Sequence, residues 1–428
     1  MSTAPASAPL RICLLSQAYP PDKFDGVGRS TQLLARGLAE LGHEVHVITR
    51  GQVEQTIASE GTQVHKIVLR LNRYTRYRHL AATHSTLNYS HTVYDKVRQL
   101  QRRHGIQLVD SPLWQVEGLV TERSGLLPVV VRPVTAIRQI AELQNNRDPD
   151  RLMLGDLEQA LLERASFLAA NSQATVKALT NVYQIPLSVP HEVLPYGIAP
   201  VPDAEVRLYD CARPDPASPD PGAAGPGHRP LDILFLGRLE KRKGIVDLLA
   251  AIPKVVAAAP YVRFTIAGAD NSLYDGFQAR TGQTYPAWFA HHHPDMAPYV
   301  QFLGGVSDEQ LNRLYQSCDL FVAPSLYESF GLIYLEAMNY GKAVVGCRAG
   351  GIPEVVDDGV TGILVEPEAP QALAEAILRL VRSPELLHTM GAAGRRRLLD
   401  RFTYLHMARS FAAAYVTVLQ AKEGQASL

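Results

Sequence analysis

Along most of the chain, short apolar runs bounded by turn residues alternate with stretches in which apolar residues recur every three or four positions. Runs at 10–16, 44–49, 107–110, 127–132 and 167–170 predict strands buried on both faces, as in a parallel sheet covered by helices. Between the first two, Leu33, Leu34, Leu38 and Leu41 fall on one helical stripe, with Ser30 or Thr31 as cap and Gly42 as stop. Residues 212–230 are dense in Pro and Gly and suit neither a helix nor a central strand. A second series of runs follows at 231–237, 261–267, 300–304, 320–323, 343–346 and 362–365. The pattern predicts an α/β chain of two doubly wound, parallel-sheet, Rossmann-like domains. The expected divisions are 1–200, a linker at 201–230, 231–400, and a terminal helix in 401–428. That helix carries the stripe Met407, Phe411, Ala414, Tyr415 and Leu419.

Composition narrows the classes. The 428 residues hold 42 Lys+Arg against 42 Asp+Glu, which argues against a nucleic-acid protein working through bulk positive potential. Cys13, Cys211, Cys318 and Cys347 are widely spaced, with no CxxC pattern, so neither a disulfide framework nor a cysteine zinc site is expected. No apolar run precedes the first strand and none is long enough to span a bilayer. The expectation is a cytoplasmic protein.

The chemistry concentrates at 321–341. An apolar strand ends at Pro324, a loop carries Glu328, and a helix is expected to start between Ser329 and Gly331. Helix starts offer amides and a positive dipole end to an anion. Glu336 follows about 7 Å along the axis at about 1.5 Å per residue. An acid thus stands on either side of an anion site, each able to accept two hydroxyl bonds. At the exit of the 231–237 strand, Gly237-Arg-Leu-Glu-Lys-Arg-Lys-Gly244 places four cations in one turn, at the strand edge where open α/β sheets take ligands. After the first strand, Gly26-Val-Gly28 allows close backbone approach; it lacks the third glycine of a dinucleotide fingerprint.

Glu328-Ser-Phe-Gly-Leu-Ile-Tyr-Leu-Glu336 resembles the E-x7-E motif of the retaining family-4 glycosyltransferases, which have the GT-B fold. The match runs on through 341–356 and 357–365; in the N-terminal half it is thin and rests on the Gly26–Gly28 loop. The resemblance implies a retaining hexosyl transfer from a nucleotide-diphosphate sugar to an acceptor hydroxyl, in a cleft between two domains, with the last helix crossing back to the first. It implies Glu328, Arg238 and Lys243 as catalytic residues. Gly28, Gly237, Arg238, Lys243, Glu328, Ser329, Phe330, Gly331, Leu332 and Glu336 would hold the donor, with Glu328 on the sugar and Glu336 on the ribose. Lys241 and Arg242 are expected to face solvent. The sugar nucleotide is a co-substrate, so no cofactor is expected, and no DxD-type metal site is expected, since cations already serve the phosphates. The acceptor, whether sugar, glycolipid or small molecule, would meet Gly26, Arg132, Thr135 and Arg138. The family commonly shows a histidine where Val134 stands here, so either Thr135, Arg132 or Arg138 takes over that contact, or donor binding is altered. A sugar-nucleotide-binding protein without turnover, or a GT-B epimerase or phosphorylase, are the alternatives.

Weaker features remain. Residues 61–94 contain no acid, whereas Lys66, Arg70, Arg73, Arg76 and Arg78 cluster with Tyr74 and Tyr77. This suits an anionic acceptor or peripheral contact with a membrane surface, or simply a solvated face. His291-His-His293 is expected as an exposed loop, since consecutive residues do not converge on one ion. Arg395-Arg-Arg397 is expected on the wet face of a helix.

Overall fold

The computed structural model describes residues 8–22, 25–143, 147–184, 188–211 and 230–426. The chain divides into two compact units, Met1–Ala199 with Phe402–Leu428, and Pro200–Arg401. Most of the predicted linker, 212–229, lies outside the described residues.

The N-terminal unit is built on β1 (Arg11–Leu15), β2 (Glu44–Arg50), β3 (Gln55–Ser59), β4 (Thr62–Ile67), β5 (Leu108–Pro112), β6 (Val129–Arg132), β7 (Phe167–Ala170) and β8 (His191–Val193). They form one sheet in the order β3-β4-β2-β1-β5-β6-β7-β8, all neighbours parallel except β3 and β4. The central strands β5 and β6 are buried along their whole length, which is why they read as continuous apolar runs. The hairpin β3–β4 turns at Glu60-Gly61, both with positive φ, and lies at the sheet edge, where its mixed polarity gave no strand signal.

The first helix spans Gly26–Glu40 and is capped by Asp25, whose carboxylate accepts from the Gly28 amide at 2.7 Å. It therefore starts earlier than the Ser30 or Thr31 expected from sequence. Those two hydroxyls instead bond back to the Val27 carbonyl. The terminal helix, Tyr404–Ala426, belongs to this unit. It buries Met407, Phe411, Ala414, Tyr415 and Val418, while Leu419 stays half-exposed. Each large apolar side chain so buried contributes about 1.5–3 kcal/mol.

The C-terminal unit is built on β9 (Leu231–Leu236), β10 (Val262–Ala267), β11 (Val300–Gly304), β12 (Leu320–Ala323), β13 (Ala343–Cys347) and β14 (Gly362–Val365). Its wholly parallel order is β11-β10-β9-β12-β13-β14, so the winding direction reverses between β9 and β12. Residues 201–211, read from sequence as linker, pack on this unit. The Val201 amide bonds Asn339, the Arg207 carbonyl accepts from Lys342, and Tyr209 is buried. Only one of the three arginines at 395–397 faces water, contrary to the sequence expectation. Arg395 is buried against Asn339 and the Val201 carbonyl, and Arg397 donates to the carbonyls of Glu354 and Val355. His291 and His292 end a helix, Tyr285–His292, rather than sitting in a loop, and His292 stacks on Trp288.

Candidate functional site

In an open parallel sheet, the crevice for a ligand lies outside the carboxyl ends of the two strands where the winding reverses. In the C-terminal unit those strands are β9 and β12, and the two loops the sequence singled out, 237–244 and 324–331, are the ones that leave them. The loops are tied together by backbone. The Leu326 amide donates to the Arg242 carbonyl at 2.8 Å. Gly244 has φ +74°, and a Cβ there would lie 1.8 Å from the Pro324 carbonyl oxygen, so only glycine closes this contact.

Across that seam Lys243 Nζ meets Glu328 Oε1 at 2.5 Å, and Ser325 Oγ donates to the same oxygen at 3.0 Å. Arg242 stands 4.0 Å from Glu328 Oε2 and donates to the Tyr327 carbonyl at 3.2 Å. Burial alone would raise the Glu328 carboxyl; the nearby Lys243 and Arg242 charges and the Lys243 and Ser325 hydrogen bonds outweigh it and hold it below its ordinary value. Glu328 is an anion at neutral pH, with hydrogen-bonding capacity left for a ligand.

A second acid organises the cations. Glu240 is buried and accepts from Arg242 at 2.8 Å and Asn271 at 2.9 Å, with Arg238 3.3 Å away. Arg242 is thereby held inward, contrary to the solvent-facing expectation, and Arg238 is the more exposed of the pair, with 58% of its side chain accessible. Lys241 faces outward beside Glu368, as expected.

The helix after the second loop is Leu332–Asn339, starting directly after Gly331. Ser329 and Leu332 are half-buried at its entrance, whereas the Phe330 ring is in the core and offers a ligand only its backbone. Glu336 is half-buried and accepts from the Tyr315 hydroxyl at 2.9 Å. The loop following β13 supports Glu328 from behind. The Gly351 amide donates to the Glu328 carbonyl at 2.8 Å, and a Cβ on Gly350, at φ +54°, would approach that carbonyl to 2.1 Å. Gly350, Gly351, Glu240 and Ser325 carry no site role in the sequence reading, and Arg242 only a solvent-facing one. A paired glycine just before a helix was the available signal for the first two.

The N-terminal unit corrects several expectations. The Gly28 amide is already taken by Asp25, and Gly26 begins the helix. Arg132 is 1% exposed and ion-paired to Asp110, whose other oxygen accepts from Tyr415 at 2.7 Å; it holds the fold and is closed to an acceptor. Arg138 lies along the helix Pro149–Leu162, bonded to Gln159 and Asp156 and set over the Tyr183 ring. Thr135 is half-buried at a bend after β6, and Val134 packs against the apolar core.

Two family descriptions match the chain, "Glycosyltransferase Family 4" over residues 24–200 and "Glycosyl transferases group 1" over residues 221–397. The chain belongs to the family-4 glycosyltransferases. Among relatives, it is 33% identical over 202 residues to alpha-maltose-1-phosphate synthase of Mycolicibacterium smegmatis, covering 44% of this chain and 48% of that protein. It is 29% identical over 325 residues to D-inositol 3-phosphate glycosyltransferase of Segniliparus rotundus, covering 73% and 66%. The first relative is thus matched over about half its length. Among solved structures, sucrose-phosphate synthase from Thermosynechococcus elongatus superposes with a TM-score of 0.72 at 24% identity, over 96% of this chain and 100% of that one. Anabaena HepE, in complex with UDP-glucose, superposes with a TM-score of 0.65 at 20% identity, over 95% and 99%. The fold is GT-B. Among the described residues, no helix is long and apolar enough to cross a membrane.

Proposed function

We propose that the chain is a retaining glycosyltransferase that moves a sugar from a nucleoside-diphosphate sugar to an acceptor hydroxyl. The observation carrying this reading is the Lys243–Glu328 pair at the β9/β12 reversal, with Arg238 held by Glu240 in the same loop as Lys243 and the Leu332–Asn339 helix start following Glu328. The donor diphosphate meets Lys243, Arg238 and the amides after Glu328. Glu328 accepts from hydroxyls of the transferred sugar, and Glu336 from the ribose. As the anomeric carbon–oxygen bond breaks, negative charge grows on the diphosphate, and cations already in place stabilise it without reorganisation. The acceptor oxygen bonds the anomeric carbon on the face the diphosphate leaves, and its proton passes to the departing phosphate oxygen. The acceptor is assigned to the N-terminal unit.

Three kinds of support converge on the donor class: family membership, the HepE complex with UDP-glucose, and the activities the relatives are named for, which include a glycosyltransferase and a synthase of a sugar phosphate. Incubating the protein with UDP-, GDP-, ADP- and TDP-sugars and measuring nucleoside diphosphate tests the proposal. One donor is expected to be consumed, faster with an acceptor present; no release from any donor would contradict turnover. A second reading, donor binding without transfer, is favoured by the apolar Val134 at the family's histidine position. Calorimetric donor binding with no release would select it.

A further inference from the structure

Sequence spacing shows no metal site, but the fold of the N-terminal unit gathers ligand groups from β2 and from the end of a long helix. Glu44 and His46 are two residues apart on β2 and so share one face of the sheet. His104 is the last residue of the helix Ala81–His104. One carboxylate oxygen of Glu44 and one ring nitrogen each of His46 and His104 lie within 4.8 Å of one another. Glu44 Oε1 is 3.0 Å from His46 Nε2 and 3.5 Å from His104 Nδ1. The edge of a tetrahedron with bonds of about 2.0–2.1 Å is about 3.4 Å; the 3.5 Å separation matches it, and the 3.0 Å one needs to open by about 0.4 Å.

A chain of hydrogen bonds also prepares the inner ligand. His46 is buried, and its other ring nitrogen, Nδ1, lies 2.9 Å from His65 Nε2. His65 Nδ1 lies 2.9 Å from the Thr56 hydroxyl. Without an ion, His46 Nε2–H donates to Glu44; on metal binding that proton leaves, Nδ1–H of His46 donates to His65, Nδ1–H of His65 donates to Thr56, and the Nε2 lone pair is freed toward Glu44 and His104. Ligating histidines are oriented in this way by a fixed acceptor on their second nitrogen. His104 adds a further term, because the carbonyl end of its 24-residue helix favours a cation.

We propose that Glu44, His46 and His104 form a zinc site, leaving a fourth position to water. Two imidazoles and a carboxylate select a borderline divalent ion over magnesium or calcium. Glu44 and His46 lie at the amino-terminal end of β2, whereas Gly26–Gly28 follows the carboxyl end of its parallel neighbour β1. The ion therefore straps the start of β2 to the end of the helix and takes no part in the transfer.

The test uses the untagged full chain, stripped with chelator and titrated with Zn2+ by calorimetry, with Co2+ as a spectroscopic probe. One equivalent is expected to bind, with the strong visible absorption of four-coordinate Co2+ and a raised unfolding midpoint. Glu44→Ala and His104→Ala change exposed side chains and leave the fold intact; each is expected to weaken zinc at least tenfold. Thr56→Val, which touches no ion, is expected to weaken it by about 10-fold or more. Binding by the wild type no tighter than by the Glu44→Ala/His104→Ala double variant would overturn the site. These readouts are independent of sugar transfer, so failure here leaves the proposed activity untouched.

Discussion

Arg132 was expected to reach the acceptor, and the structure instead buries it against Asp110, so its replacement separates the two roles. Nε of Arg132 meets Asp110 Oδ1 at 2.5 Å, its NH2 lies 3.3 Å from the Leu15 carbonyl, and Tyr415 bonds the remaining Asp110 oxygen at 2.7 Å. Burial pushes the Asp110 carboxyl up, and Arg132 and Tyr415 offset this in part. In Arg132→Met the carboxylate loses its cation; in Asp110→Asn the guanidinium loses its anion. Breaking a buried pair from one side costs about 3–5 kcal/mol, a large share of the about 5–15 kcal/mol of a typical domain. Tyr415→Phe removes one bond to a charged group, worth about 1.5–3 kcal/mol. The Asp110→Leu/Arg132→Met pair leaves no stranded charge and is expected to cost less than either single change. Urea unfolding reads this locally, because the chain has two tryptophans and Trp288→Phe leaves Trp114, next to β5, as reporter of the N-terminal unit. An Arg132→Met protein within about 1 kcal/mol of the parent, with only a raised acceptor KM, would refute the structural role.

Two further expectations follow from buried groups. Burial raises the Glu117 carboxyl to about 8, with its Oε1 accepting from the Gln17 amide and its Oε2 without a partner. The folded state then keeps a proton that the unfolded state releases above about 4.5, so stability is full below that pH and is lost as pH rises to about 8, by a few kcal/mol at most. Glu117→Gln keeps the Gln17 bond and should flatten the unfolding midpoint across this window; an unchanged slope would count against it. Gly350→Ala forces a Cβ against the Glu328 carbonyl at a left-handed position and is expected to weaken donor binding at least tenfold by calorimetry. Unchanged affinity would show that the loop after β13 does not hold Glu328 in place.

Much of this was legible because parallel sheets write themselves as apolar runs. All six strands of the C-terminal unit and the central strands of the other were visible this way, and the loops after β9 and β12 followed from their boundaries. The hairpin β3–β4 was not, since an edge pair with half its residues wet has no such signature. The Asp25 cap is hidden in the sequence because the glycines after it read as loop, although their helix needs no side chains to start. Charges misled most. Arg132, Arg242 and Arg395 look alike in sequence, and only the buried acids and carbonyls that meet them, Asp110, Glu240 and Val201, decide which face inward. Such partners lie 22 residues away for Arg132 and 194 for Arg395, beyond any local pattern.

The most direct measurement is the turnover number for the accepted donor in Lys243→Ala and in Glu328→Ala, each compared with the parent protein after checking its unfolding midpoint. Loss of one preorganised charge at a developing anion costs about 10²–10³ in rate, and a fall of that size in both folded variants is the expected result. Rates within threefold of the parent in both would place the diphosphate somewhere other than between the loops that follow β9 and β12.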